Sequence, residues 1–150
     1  MNLPTYRKTS RLLFYTDLLG TRFTLAIAEL LWALTLFWPG NTFDRPTYFI
    51  MANMAQEHSW AIIFLLSGVT QMTIAITANI DSWFAKLFAG WNAALWVVTV
   101  LSMYFSVTPP PAAVSGEAAL ALASIWIWIR PFVIERGRAH GRKHASYITE

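Results

Sequence analysis

The chain has 150 residues, of which 56% are hydrophobic and only 13% are charged, with a net charge of +3 and no cysteine. A soluble domain carries about 25% charged residues, so this composition excludes a water-facing surface of ordinary size and indicates that lipid covers much of the chain. The lack of cysteine excludes disulfides, thiol catalysis and cysteine-ligated metals.

Four apolar stretches are each long enough to cross a membrane as a helix, because about 20 residues rising ~1.5 Å each cover ~30 Å of hydrocarbon. We expect the spans at about 18–38, 59–78, 83–105 and 112–132. The first span is expected to be retained, since no signal-peptide cleavage site follows it. The predicted fold is all-α: a polytopic membrane protein whose four transmembrane helices, within residues 18–132, form a compact bundle without a separate enzymatic domain.

Proline, glycine and short polar segments mark the connections between the spans. Residues 38–40, Trp-Pro-Gly, end the first span, and a short helix over 46–54 is expected to lie on the membrane. The next connection is so short that spans 2 and 3 are predicted to form a tight antiparallel hairpin, with Asp81 or Ser82 as the N-cap of span 3. Three prolines at 109–111 stop span 3.

A basic segment at 1–17 and a basic tail at 133–150 flank the predicted bundle. Ten of the eleven Lys and Arg fall at the end that carries both termini, so the positive-inside rule predicts a multi-pass inner (cytoplasmic) membrane protein with both termini cytoplasmic. The sequence leaves open whether the first segment is a separate surface helix, for which Gly20 argues, and whether the tail is helical. Anionic lipid headgroups, rather than nucleic acid, are the expected partner of the basic residues, at ~1 kcal/mol each near the surface: Arg7, Lys8, Arg11, Arg136, Arg138, Arg142 and Lys143.

Each span carries one polar side chain at a similar depth, ~9–12 Å from the cytoplasmic edge at ~1.5 Å per residue. These four are Glu29, Gln71, Asn92 and Ser124. They predict a polar layer that carries a proton, an ion or water with Glu29 titrating, or polar glue that fixes helix register, or, for Glu29, a pair across an oligomer interface. Glue is favoured, because no basic partner is expected inside the membrane.

Small residues recur every fourth position in two spans, which lets helix backbones approach closely. The residues are Ala85, Ala89 and Ala93 in span 3, and Ser115, Ala119 and Ala123 in span 4. We expect these faces to pack spans 3 and 4 together, with a homo-oligomer contact as the alternative. Tryptophans near span ends, at 38, 60, 83, 126 and 128, are expected to be interfacial anchors.

No catalytic motif or cofactor motif is present, so no enzymatic activity is expected. His140 and His144 have the i, i+4 spacing of helical metal ligands, but the neighbouring basic residues repel cations and no metal site is predicted.

The segment LLWALTLFWPGNTFDRPTYFIMANMAQEHSWAIIFLLSGVTQ, Leu30 to Gln71, resembles small multi-spanning membrane proteins of tailed-phage genomes, which are uncharacterised or assigned as holins or exclusion factors. The resemblance implies a non-enzymatic protein that acts by assembling in, or altering, the host membrane. Two other functions stay open: a small channel or proton-coupled transporter using Glu29, and an accessory subunit of a larger membrane complex.

Overall fold

The computed structural model describes the backbone of residues 4–77 and 82–146 and the side chains of residues 17–77 and 82–133. Within those ranges the chain is helical without strands, and its helices are α1 (Pro4–Phe37), α2 (Phe49–Met54), α3 (Glu57–Thr77), α4 (Trp83–Ser106) and α5 (Ala113–Ser146). Four stretches are long and apolar enough to cross a membrane, and their helices pack together, which confirms the predicted class. They are Asp17–Phe37, Glu57–Thr77, Trp83–Ser106 and Ala113–Val133.

The four long helices alternate in direction, so the bundle has two ends. We call the end where α1 enters and α5 leaves the termini end, and the opposite one, which holds residues 38–56 and 107–112, the loop end. At the termini end Arg130 lies 3.5 Å from Asp17. Both helices continue away from this end, since α1 begins at Pro4 and α5 reaches Ser146.

The N-terminal segment is therefore an extension of the first span, and the tail is helical as far as residue 146. Gly20 does not break α1, because a glycine costs a helix only about 1 kcal/mol relative to alanine, and the helix continues on both sides of it. Pro131 lies inside α5 although it removes one hydrogen-bond donor from that helix.

The closest backbone packing joins α1 to α3 and α4 to α5. Gly68 of α3 makes the first approach possible, since a Cβ there would lie 2.9 Å from the Leu30 side chain and 3.2 Å from the Ala26 carbonyl oxygen. Gly90 of α4 makes the second possible, since a Cβ there would lie 2.9 Å from the Trp128 indole nitrogen.

Helices α3 and α4 do not form the tight pair that their short connection predicts. Large side chains separate their backbones: the Trp91 indole donates to the Ser67 hydroxyl at 3.2 Å, and the rings of Phe64 and Trp96 lie 5.5 Å apart. The expected N-cap is confirmed for Ser82, whose hydroxyl accepts from the Ala85 amide at 3.1 Å; Asp81 lies outside the described residues.

The small-residue faces of the two last helices have different surroundings. Ala85, Ala89 and Ala93 of α4 are buried, as the packing prediction requires. Ser115 and Ala119 of α5, however, are exposed, and Ala123 is half-buried. The packing face of α5 follows a different helical register, because larger side chains fill the space beside the α4 alanines; it comprises Val114, Ala121, Ser124 and Ile127.

The loop end is covered by a folded segment made of two 3-10 turns, Thr42–Asp44 and Pro46–Tyr48, followed by α2. The expected short helix is therefore present, but it packs into the bundle, since Met51 is fully buried. Trp60, predicted to be an interfacial anchor, is also buried, and its indole donates to the Met51 carbonyl oxygen at 3.1 Å.

Glu57 holds the start of this covering segment in place. One carboxylate oxygen accepts from the Thr42 amide at 3.0 Å and the other accepts from the Phe43 amide at 3.3 Å. The segment is tied to α4 as well, because the Ile50 amide donates to the Ser106 hydroxyl at 3.2 Å.

The glycine contact gives a direct test of the helix pairing. Gly68→Ala should lower the free energy of unfolding by about 1–3 kcal/mol, since the added methyl group meets both the Leu30 side chain and a backbone oxygen. Gly116→Ala is the matched control, because nothing lies within 4 Å of its added methyl group. Thermal or denaturant unfolding in detergent measures both; equal stability of the two variants would contradict the α1–α3 packing.

Candidate functional site: a polar cluster inside the membrane bundle

Polar side chains lie in the interior of the bundle formed by the four spanning helices. An intramembrane charged group costs roughly 2.5–3.5 kcal/mol on insertion scales, so such residues need protein or water partners. The buried set comprises Arg22, Glu29, Ser67, Gln71, Asn92, Thr99, Ser102 and Ser124.

Arg22 is one of the ten basic residues that the positive-inside rule assigned to the end of the bundle carrying both termini. The structure places it inside the bundle, with 1% of its surface exposed. Its guanidinium donates through Nη1 to Gln71 Oε1 at 2.7 Å and through Nη2 to the Ala85 carbonyl oxygen at 3.1 Å. Both acceptors are neutral, and the Nε atom has no hydrogen-bond partner.

Glu29 lies on the same face of α1 as Arg22, because seven residues make nearly two helical turns, or ~10 Å along the axis. Its side chain is fully buried. One carboxylate oxygen, Oε1, accepts from the Trp96 indole at 3.2 Å, and the other, Oε2, has no hydrogen-bond partner. The carboxyl group is thus held by α4 with one oxygen left available.

Asn92 lies on α4 between the two places where that helix meets Arg22 and Glu29, namely Ala85 and Trp96. Its side chain is fully buried and lies within hydrogen-bonding reach of the Glu29 carboxyl. Neither amide atom, however, makes a hydrogen bond of acceptable geometry. Buried amides are nearly always bonded, and the partner within reach of this one is the Glu29 carboxyl.

The four residues of the predicted polar layer do not all contact one another. Glu29 and Asn92 lie together, whereas Gln71 is engaged by Arg22 instead. Ser124 is buried, but its hydroxyl donates to the Leu120 carbonyl oxygen of its own helix at 2.9 Å and is satisfied there. In place of the predicted layer the structure has a polar cluster, which comprises Arg22, Glu29, Gln71, Asn92 and Trp96.

Two members of this polar cluster were not anticipated from the sequence. Arg22 was counted among the positive-inside residues, although its spacing of seven from Glu29 places both on one helix face. Trp96 stands in mid-span rather than at a span end, which was a signal for a buried donor.

An aromatic column continues from the polar cluster toward the loop end. The Trp96 ring meets the Trp32 ring edge-to-face at 6.3 Å, and Trp32 stacks on Phe64 at 5.3 Å. The Trp32 indole donates to Glu117 Oε1 at 3.1 Å, and its ring also contacts Tyr48 at 6.0 Å. Burial raises the pKa of the Tyr48 phenol, which therefore stays neutral.

The chemistry available is that of a titratable carboxyl beside an unsatisfied amide. Within the side chains that the structure describes, no group of three or more His, Cys, Asp or Glu converges. The predicted headgroup-binding residues and the two tail histidines lie outside those side chains, so their contacts are not described.

The unsatisfied amide separates a binding role from a purely structural one. Asn92→Leu keeps the branched shape and removes two unbonded polar atoms, so we expect the free energy of unfolding to stay unchanged or rise by about 1–3 kcal/mol. Gln71→Met is the contrast, because it leaves Arg22 without its closest acceptor and should lower that free energy by about 1–3 kcal/mol. Unfolding in detergent measures both variants. A marked loss of stability in Asn92→Leu would show that Asn92 has a structural role in holding the helices together.

Comparison with known protein families, with curated proteins and with solved structures gives no match for this chain. The resemblance of residues 30–71 to phage-encoded membrane proteins consequently stays a prediction.

Proposed function

We propose that this protein moves protons through its four-helix membrane bundle and that Glu29 is the group that binds and releases them. The observation that carries the proposal is the fully buried Glu29 carboxyl, with one oxygen bonded to Trp96 and the other unpartnered beside an unbonded Asn92 amide. Intramembrane acids facing a bundle interior mark proton or ion pathways more often than they mark simple packing.

The pattern of hydrogen bonds supports conduction over polar glue. Glue gains its stability from direct hydrogen bonds between helices, as at Arg22, where two of the three guanidinium nitrogens are bonded. The Asn92 amide faces the Glu29 carboxyl, but neither of its atoms meets the geometry of a hydrogen bond. Its free donor and acceptor are suited to orienting a water molecule that passes a proton to or from Glu29.

A proton suits the polar cluster better than a metal cation does. Metal cations such as Mg²⁺ or Ca²⁺ take six or more oxygen ligands, whereas the cluster offers two unpartnered side-chain oxygens, Glu29 Oε2 and Asn92 Oδ1. A proton needs one. A hydronium ion gives up the proton of one of its O–H bonds, a new O–H bond forms at Glu29 Oε2 and a water molecule is left; release reverses the step.

Arg22 makes an ionised Glu29 tolerable in this interior. The two charges are separated by ~10 Å along the helix, and at an effective dielectric constant near 20 their attraction is on the order of 1–2 kcal/mol. That is a sizeable share of the roughly 2.5–3.5 kcal/mol that an intramembrane charge costs. The carboxyl can therefore alternate between neutral and charged forms, as proton transfer requires.

Proton flux in liposomes tests the proposal. A potassium diffusion potential set with valinomycin drives protons, and a trapped pH dye reports them. Glu29→Gln should abolish flux above protein-free liposomes, a loss on the order of a hundredfold or more for a group that exchanges the proton, and Asn92→Leu should reduce it while leaving the fold stable. Asp44→Asn is the matched control, because Asp44 is an exposed carboxyl at the loop end. Wild-type flux in folded Glu29→Gln would remove the proposal.

Assembly within the membrane is a second candidate, favoured by the exposed small residues of α5. Ser115 and Ala119 face outward, and only 17% of the spanning part of α5 is buried, against 33–39% in the other spans. Such a face suits helix contact with another copy, as a holin-like or exclusion protein requires, or with a larger complex. Induced expression should then halt growth or block phage entry, and Ala119→Leu should remove that effect; equal effects of both chains would count against assembly through this face.

A further inference from the structure

A second carboxyl, Glu117, lies in the bundle nearer its loop end. It belongs to the second turn of α5, where its Oε1 atom accepts from the Trp32 indole at 3.1 Å. Its Oε2 atom is buried and has no hydrogen-bond partner. A carboxylate placed only to complement the helix dipole needs neither burial nor an indole donor from another helix, so the dipole alone does not account for Glu117.

Each of the two carboxyls accepts a hydrogen bond from one of two indoles that meet edge-to-face. Trp96 donates to Glu29 at 3.2 Å and Trp32 donates to Glu117 at 3.1 Å. The two rings meet edge-to-face at 6.3 Å with an interplanar angle of 86°. Each carboxyl thus has one oxygen bonded to an indole and one oxygen without a partner.

We infer that Glu117 is a second proton-binding group, which exchanges protons with the loop end, and that Trp32 and Trp96 form the barrier between it and Glu29. This inference rests on the proposed function and names the group that serves one side of the same pathway. Indole N–H is a donor only and does not release its proton at ordinary pH, so the rings hold both carboxyls without relaying a proton between them.

Transfer therefore requires a water molecule to pass the ring pair. The proton leaves the O–H of Glu117 for that water, and the resulting hydronium ion gives it to Glu29 Oε2. Glu117 is left ionised and Glu29 neutral. One proton has moved inward, and no other reactant is consumed. Separation of the two indoles admits the water, and their contact excludes it.

The loop end supplies the surroundings that an exchange group needs. Tyr48 lies near Glu117, and its own charged neighbours include Arg45 and Glu57. Glu57 is not a competing exchange group, because both its oxygens accept backbone amides of the covering segment, at Thr42 and Phe43. Glu117 keeps one oxygen without a hydrogen-bond partner.

The liposome assay tests the inference with four variants. Glu117→Gln should lower proton flux on the order of a hundredfold, Glu117→Asp should restore part of it by returning a carboxyl, and Asp44→Asn should match the wild type. Trp32→Phe should raise flux severalfold. The smaller ring weakens the barrier, and it has no N–H group to hold the Glu117 carboxyl. Size-exclusion elution and thermal unfolding in detergent establish that each reconstituted chain is folded.

The outcomes separate the inference from the function on which it rests. Loss of flux in Glu29→Gln together with normal flux in Glu117→Gln overturns the second group alone. Normal flux in both overturns the proposed function. Unchanged or slower flux in Trp32→Phe overturns the barrier, and that result stands even where Glu117→Gln does not fold.

Discussion

The buried guanidinium of Arg22 is the interaction on which the arrangement of the bundle depends. A cation inside a hydrocarbon layer is tolerated only where other helices bring acceptors to it, and α3 and α4 do so through Gln71 and the Ala85 carbonyl. This contact joins three of the four spanning helices. It also turns α1 so that the face carrying Arg22 and Glu29 points inward, together with Leu25 and other buried residues of that helix.

Polar and aromatic groups occupy successive levels of the interior as a consequence. From the termini end, the order is the Arg22 contacts, then Asn92 with Glu29, then the crossed indoles and Glu117, and finally the covering segment with Met51. Gln71 accepts a hydrogen bond from Arg22, whereas neither amide atom of Asn92 makes one of acceptable geometry. A mixture of saturated and unsaturated groups suits a site that binds a transient species better than it suits a purely structural core.

Depth along a helix was predictable from the sequence, and direction around the helix axis was not. Counting residues from the span ends placed Glu29, Gln71, Asn92 and Ser124 in the interior, and all four are buried. The same counting treated Arg22 as a residue before the span, because a basic group near a span end ordinarily reaches toward headgroups. Its direction depends on the acceptors that α3 and α4 present, which lie 49 and 63 residues away in the chain.

Residue type and spacing alone gave wrong predictions for the packing face of α5 and for Trp60. Ser115 and Ala119 have the spacing of a packing face, yet α5 buries Val114, Ala121 and Ile127 instead. Trp60 resembled an interfacial anchor, but α2 covers it. In both cases the adjacent helix, α4 or α2, determines which side chain is buried.

The sequence by itself determined the four apolar helices and their alternating order, because hydrocarbon thickness and backbone hydrogen bonding allow few alternatives. The tertiary structure decided which polar atoms meet: that Arg22 takes Gln71, that Trp96 takes Glu29, and that Asn92 is left unbonded. Those pairings depend on how each helix is rotated about its axis, and rotation is settled only when side chains from several helices compete for the same interior space.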